Sequence, residues 1–459
     1  MISVMKNKIY ICMVIGVTML LISSCKKYLE VKSNAKLVIP NTLADAQGLL
    51  DDGNLMNIRL TPSFGEASSD DFFLPLTSYN ALIVRGQEAY TWQPTPYRYA
   101  NDWSLAYTAV FNSNLCLEIL ENIERTPANS SLWDNAKGSA LFFRSFYFLM
   151  LTNQYGLAFD EKNSSTDLGI ALRTSSNFNV PSVRASVSEC YKKVIEDATL
   201  ALELLPDYPQ HTLRPSKGAA AALLSRCYLY MHDYSSSLKY TSQALKFNNK
   251  LMDYNGDSDL LALTSTVPIK KFNKETIWYA ELSSNFGVNN TANSRIDTIL
   301  YASYNANDLR KTAYFRSSPP YQQFKGNYTA SGTFYFSGLA TDELYLTSAE
   351  CKAWLGDLPG AMADLNILLK SRWRNSVTLS PVTATDRSDA LRKIREERRK
   401  ELLMRGLRFA DLKRYNKEGA NITLKRVVGN QVFTLEPGSR YYALPLPTDI
   451  IEATGMPQN

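Results

Sequence analysis

Histidine is almost absent from this chain: only His211 and His232 occur among 459 residues. Histidine is the usual general base near neutral pH and the commonest metal ligand, so its scarcity leaves carboxylates as the main acid–base groups. Cysteine is sparse as well. Cys12, Cys25, Cys116, Cys190, Cys227 and Cys351 include no C-x-x-C pair, so the signals for a zinc site or a thioredoxin-type redox pair are missing. A strong excess of one charge is missing too. The formal charge is +6, and the basic run from Lys393 to Lys400 is interrupted by acids, which argues against a nucleic-acid partner. The uncharged run 9–22 falls short of the ~20 residues that span a bilayer. No catalytic motif is recognisable, and no cofactor is implied.

What the chain does have is an apolar content of 45% against 20% charged residues, the balance of a soluble globular protein. It is also rich in rings, with 27 Tyr, 19 Phe and 6 Trp, so aromatic surfaces are the first candidates for ligand contact. At the N-terminus, Lys6 and Lys8 precede the short apolar run, which ends Leu21-Ile22-Ser23-Ser24-Cys25. This suits a signal peptide over 1–24. Small residues directly before a cysteine resemble a bacterial lipobox, in which the cysteine becomes the acylated first residue. An ordinary secretory signal with an incidental cysteine is the alternative. Lys26-Lys27 follows without an aspartate that would hold a lipoprotein at the inner membrane, so an outer-membrane lipid anchor on Cys25 is expected.

Helical periodicity dominates the rest. Asn41 or Thr42 can cap a helix over 40–52. Trp103, Tyr107, Phe111, Leu115 and Leu120 share one face of a helix over 101–123, and a second helix is predicted over 135–155. Ser186 and Glu189 form a capping box that opens the next. Segments 215–231 and 234–247 fit a tetratricopeptide unit through Leu224, Ser225, Tyr228, Ser237 and Ala244. A second copy begins at Asp342, with Trp354 in the place of Tyr228 and Ala363 in that of Ser237. The fold expected is mainly α, with about four helix pairs forming a superhelical scaffold over 40–60, 101–156, 186–248 and 342–415. The segments 61–100, 249–341 and 416–459 read as a large irregular half. In it, Asp253, Asn255, Asp257 and Asp259 alternate as calcium ligands do. Gly256 is misplaced for an EF-hand loop, however, and the glutamate at its twelfth position is missing.

The closing element is a charge-dense helix predicted over 391–404, with Gly406 as C-cap and a short helix over 407–415. Pairs such as Arg392–Glu396 are spaced i,i+4. Two readings are open: a solvated face, or Glu397, Arg398 and Glu401 turned inward onto polar partners. The run resembles the C-terminal signature of SusD/RagB-like outer-membrane nutrient-binding lipoproteins, I-x-x-E-R-x-x-E-L-x-x-E-G-x-R-x-x-D-L-x-R-W. The matching residues are Ile394, Glu397, Arg398, Glu401, Leu402, Gly406, Arg408, Asp411, Leu412 and Arg414, with Arg405 and Tyr415 departing from it. Trp103, Tyr107, Asn114, Arg144 and Asp308-Leu-Arg310 fit the same family, and the resemblance covers 25–459 as one domain.

The resemblance implies a surface-exposed lipoprotein that captures a glycan and passes it to a SusC-like TonB-dependent transporter, which would pack on the helix pairs. A peptide ligand, a tetratricopeptide adaptor and a carboxylate-based glycosidase are the alternatives. A plain adaptor would not need the long tyrosine-rich insertion, and the glycosidase lacks a recognisable carboxylate pair. The ligand-contacting residues expected are Trp92, Tyr97, Tyr314 and Tyr321, held on turns by nearby Pro or Gly, together with Tyr79. Asp71, in Ser69-Asp70-Asp71, is a further candidate for a ligand hydroxyl, with a simple turn as the other reading.

Overall fold

In the computed structural model, which describes residues 40–284 and 286–459, Thr42 caps the first long helix, α1 (Leu43–Asp51). Its hydroxyl accepts from the Asp45 amide, and the Asp45 carboxylate returns the bond, a complete capping box. Helices α2 (Asp102–Glu121), α3 (Ser130–Tyr155) and α4 (Val187–Leu204) follow. Helix α3 is buried without a break from Gly138 to Thr152. A helix apolar on all sides belongs at a centre, and α3 is flanked by α2 and α4. Trp278 packs edge-on against its Phe142 and Phe146 at centroid distances of 4.9 and 4.5 Å. The one charged residue of that stretch, Arg144, is matched by Asp197 at 2.7 Å and by the Asn114 amide oxygen at 2.9 Å.

The row continues through α5 (Lys217–Tyr230), α6 (Tyr234–Phe247), α7 (Thr341–Trp354) and α8 (Leu358–Arg372), each helix packing on the next. The repeat is real, but the second copy sits two residues away from its predicted register. Asp233 and Asp357 are the equivalent N-caps of α6 and α8. His232 (φ 61°) and Gly356 (φ 91°) occupy the equivalent turn. Ala361, not Ala363, therefore matches Ser237. Ser237 and Ala361 are both fully buried, whereas Ala363 is exposed. Small residues at this crossing let the pair approach closely, and the Ser237 hydroxyl reaches the Ser225 carbonyl at 2.9 Å.

The charged closing helix, α9 (Arg387–Glu401), starts and ends three to four residues earlier than the pattern predicts, because Asp386 supplies its N-cap. Gly406 does adopt φ 76°, at the end of a turn that leads into α10 (Arg408–Lys417). The ten strands among the described residues form five two-stranded antiparallel ribbons. β1 (Phe72–Phe73) pairs with β5 (Arg295–Ile296), β2 (Leu168–Ala171) with β3 (Arg184–Ser186), and β4 (Thr276–Trp278) with β8 (Leu339–Ala340). β6 (Phe315–Ser318) and β7 (Tyr321–Phe324) form a hairpin, as do β9 (Leu424–Val428) and β10 (Gln431–Leu435). None of the described helices is long and apolar enough to cross a membrane. The segment 1–24 and Cys25 lie outside the described residues.

Candidate functional site

The closing helix resolves its two readings in favour of the interior. Arg398 is 1% exposed, and its Nε donates to Asp411 of α10 at 2.8 Å. Arg414 bridges the other Asp411 oxygen (3.0 Å) to Glu350 of α7, with a bidentate pair at 2.7 Å. Glu401 accepts from Arg310 at 2.9 Å and from Arg372 at 2.7 Å, and the half-buried Glu397 accepts from Arg310 at 2.6 Å. Asp308 holds the same Arg310 guanidinium at 2.6 Å, so the Asp308–Arg310 element of the irregular half is tied directly to α9. On the next face, Arg399 reaches Asp71 at 2.9 Å and Arg408 grips Asp70 at 2.7 and 2.9 Å. The Gly406 amide donates to Glu66 at 2.8 Å. Arg405, the departure from the signature, finds its own acid in Asp342 at 2.7 Å.

These pairs join three regions far apart in sequence: the segment around 66–71, the insertion and the second helix-pair copy. The carboxylates of Glu275, Asp342 and Glu401 converge within 4.8 Å. Their charge is met by the Arg372 and Arg405 guanidinia, and the Tyr328 hydroxyl sits between Glu275 and Asp342. Burial alone would raise the Glu350 carboxyl, but the Arg414 and Arg395 charges hold it down at about 2. Burial and the Asp71 charge instead push the Glu66 carboxyl up to about 8. This cluster is a latch between parts of the fold rather than an open site, and Asp71 belongs to it. Asp71 is 1% exposed and its Oδ1 is committed to Arg399, so the ligand-hydroxyl reading is corrected: the carboxylate is buried against arginine and does not open to solvent.

The ring candidates divide. Trp92, Tyr97 and Tyr314 are core residues, at 7%, 3% and 1% exposure. The Trp92 indole donates to the Ser68 carbonyl at 3.1 Å. Tyr97 wedges against Phe64 and Phe286, and its hydroxyl donates to the Pro445 carbonyl at 2.7 Å. Tyr314 lies against Phe324 and beneath Gly326, where an added Cβ would come within 2.2 Å of its ring. The physical reason corrects the prediction. Irregular backbone leaves carbonyls without a ladder partner, and a buried tyrosine fills volume while its hydroxyl satisfies one of them. Carbonyls at helix ends are open in the same way: Tyr304 takes that of Lys400, in the last turn of α9, at 2.7 Å, and Tyr147 that of Met56 at 2.6 Å.

Tyr79 and Tyr321 remain half-buried at the surface. Tyr79 rests on Tyr90 at 5.9 Å. Tyr321 opens β7 and meets Phe73 edge-on, with centroids 4.9 Å apart and planes at 86°. Phe73 is the residue that sequence reasoning missed. Its signal was strand alternation: Phe72 faces inward onto Tyr90, so its neighbour must face out. Arg295 is paired opposite Phe73 across β1–β5 and donates to the Ser294 carbonyl at 2.9 Å. Gln323, two residues on from Tyr321 and so on the same face, links Arg316 at 3.0 Å to the Thr291 carbonyl at 2.7 Å. Two rings are thus rimmed by two guanidinium groups and an amide. Flat C–H surfaces can rest on such rings while hydroxyls meet the polar rim.

Compared with protein families, the chain matches a model described as starch-binding and associating with the outer membrane over residues 27–229. It matches the SusD family model over 226–444. No curated protein matches the sequence. Solved structures with the same fold include a SusD superfamily protein from Bacteroides thetaiotaomicron, at TM-score 0.71 and 19% identity, covering 91% of this chain and 99% of that one. A SusD-like carbohydrate-binding protein from Bacteroides vulgatus is similar at TM-score 0.64 and 20% identity, covering 90% and 97%. A laminarin-binding SusD-like protein is similar at TM-score 0.65 and 19% identity, covering 91% and 98%.

Proposed function

We propose that this chain, which belongs to the SusD family, binds an oligosaccharide on the Phe73–Tyr321 platform and delivers it to a SusC-like TonB-dependent transporter. The single observation that carries the site is the surface ring pair with its polar rim, in a half where Trp92, Tyr97 and Tyr314 are committed to the core. Two relatives of the same fold bind carbohydrate, one of them laminarin, which supports the ligand class. Binding rather than hydrolysis fits the acids, because the buried carboxylates converging on α9 are engaged by arginine and not set about a solvent-facing bond. An acylated Cys25 would hold the protein at the outer membrane, the compartment named for the family model that covers the first half of the chain.

The test is calorimetric titration of neutral glucan oligosaccharides and of peptides against wild type and a Phe73→Ala/Tyr321→Ala double variant. A stacked ring is worth about 0.5–1.5 kcal/mol beyond area burial, so the double variant should bind neutral glycan at least several-fold more weakly with an unchanged melting curve. Equal affinity in the two proteins would move the site elsewhere, and binding of peptides alone would replace the ligand class. Labelling with a fatty-acid analogue should mark wild type and not Cys25→Ala; an unlabelled wild type would remove the anchor.

A further inference from the structure

The helical half carries a concave surface that the platform reading does not use. It lies where α8 runs into the loop that follows it, and it encloses about 880 Å³ between Tyr345, Leu251, Ile367, Lys370, Trp373 and Arg374. An adjoining hollow of about 460 Å³ shares Asn255, Arg374 and Asn375 with it. The indole of Trp373 is half-buried and fixed. Its Nε1 donates to the Val377 carbonyl at 3.0 Å, and its own carbonyl accepts from the Asn255 amide at 2.9 Å. The Asn375 amide in turn donates to the Asn255 side-chain oxygen at 2.9 Å. A ring whose indole N–H is held by its own loop and whose backbone is tied to the Asn255 segment offers a preformed flat face, with little ordering left for a ligand to impose.

The cleft also carries charge. The arginines around α9 are matched to acids, yet none of the ion pairs among the described residues takes Lys370 or Arg374. Both side chains are exposed, one on each side of Trp373 in sequence. The acid facing the same cleft, Asp253, has one oxygen committed to the Asn255 backbone and side-chain amides at 3.0 and 2.8 Å. The balance is two unpaired cations against one anion, beside a flat aromatic face and the apolar edges of Leu251 and Ile367.

We propose that this cleft is a second carbohydrate site, selective for sugars that carry a carboxylate. The ring of such a sugar lies on Trp373, and its carboxylate sits between Lys370 and Arg374, where charge-assisted bonds are the strongest available. The inference rests on the carbohydrate reading of the chain but not on the Phe73–Tyr321 platform. Because both cations are exposed, the attraction is screened beyond a Debye length of about 8 Å at physiological salt, so binding must weaken as salt rises.

The experiment titrates the full chain with trigalacturonic acid, with a neutral trisaccharide and with tetraglutamate, at low and high salt. Wild type should bind the uronate, and Lys370→Gln/Arg374→Gln should weaken it about tenfold or more, since bonds to charged groups commonly exceed the 1.4 kcal/mol that a factor of ten represents. These are surface substitutions, and an unchanged circular dichroism spectrum confirms that the fold is intact. Phe73→Ala/Tyr321→Ala should leave uronate binding unchanged. Absence of uronate binding, or binding insensitive to the charge variant, overturns this proposal; neutral-glycan loss in the Phe73/Tyr321 variant would still stand for the platform. Tetraglutamate binding as tight as the uronate, and lost in the same charge variant, would make the occupant a peptide and overturn it as well.

Discussion

The closing helices and the irregular insertion place opposite kinds of side chain in the interior. Around α9 and α10 the core is made of charge: Arg398, Glu401, Asp411 and Arg414 are all nearly inaccessible. In the insertion it is made of rings, with Tyr304, Tyr314, Tyr328 and Tyr335 all at 3% exposure or less. Each is a solution to the same problem. A helix satisfies its own backbone and frees long charged side chains to pair with one another; in irregular chain the buried rings fill volume, and their hydroxyls take acceptors elsewhere in the fold, the Lys400 carbonyl for Tyr304, the Asn289 carbonyl for Tyr335 and the Glu275 and Asp342 carboxylates for Tyr328. Charge therefore latches the closing helices through paired guanidinium and carboxylate groups, and tyrosine stitches irregular chain to the rest of the fold through single hydroxyl bonds.

The sharpest way to break this comparison is Arg398→Ala. Removing Arg398 strips the buried Asp411 of one of its two guanidinium partners, leaving only Arg414, and breaking a buried pair typically costs about 3–5 kcal/mol. Arg392, exposed on the same helix and paired only with Asp389 and Glu396, is its control, and its loss should stay within about 0.5 kcal/mol. Equal urea midpoints for the two variants would return α9 to a solvated face.

Gly406→Ala comes next. A side chain there would adopt φ 76° and bring its Cβ within 2.7 Å of Leu282, so a loss of about 1–3 kcal/mol is expected in the same urea measurement. No loss would mean that the turn between α9 and α10 yields freely.

For the ring-built half, Tyr97→Phe keeps the packing and strands the Pro445 carbonyl, with about 1 kcal/mol expected from thermal melting. A loss as large as that of Arg398→Ala would erase the distinction between latch and stitch.

The mildest substitution is Glu66→Gln, which keeps the shape and leaves an oxygen to accept from Gly406. The folded Glu66 carboxyl titrates near 8, above its ordinary 4.5, because of burial and the neighbouring Asp71. A raised acid favours the folded state below the unfolded value and loses that contribution as pH climbs through the window between the two. The variant should match wild type at pH 5 and gain on it toward pH 8. Parallel stability curves would place the proton elsewhere.

Much of this was legible in the chain. The choice of cap between Asn41 and Thr42, the Ser186/Glu189 capping box, the α5–α6 unit and the left-handed Gly406 follow from local chemistry, which acts within a few residues. The second repeat was visible, but its register was not. Trp354 and Ala363 keep the spacing of Tyr228 and Ser237, and only the equivalent N-caps Asp233 and Asp357 reveal the two-residue offset.

By itself the sequence determined the helical periodicity, the scarcity of histidine chemistry and the signature run from Ile394 to Arg414. It could not say which of its many rings face out. Phe73 had strand alternation with Phe72 as a local signal, but nothing local separates Tyr321 from Trp92, Tyr97 and Tyr314. What separates them is contact across the fold, with Pro445 reaching Tyr97, Glu401 lying beside Tyr314 and Arg399 reaching Asp71. Burial is decided by which distant surfaces meet, and only the tertiary structure brings them together.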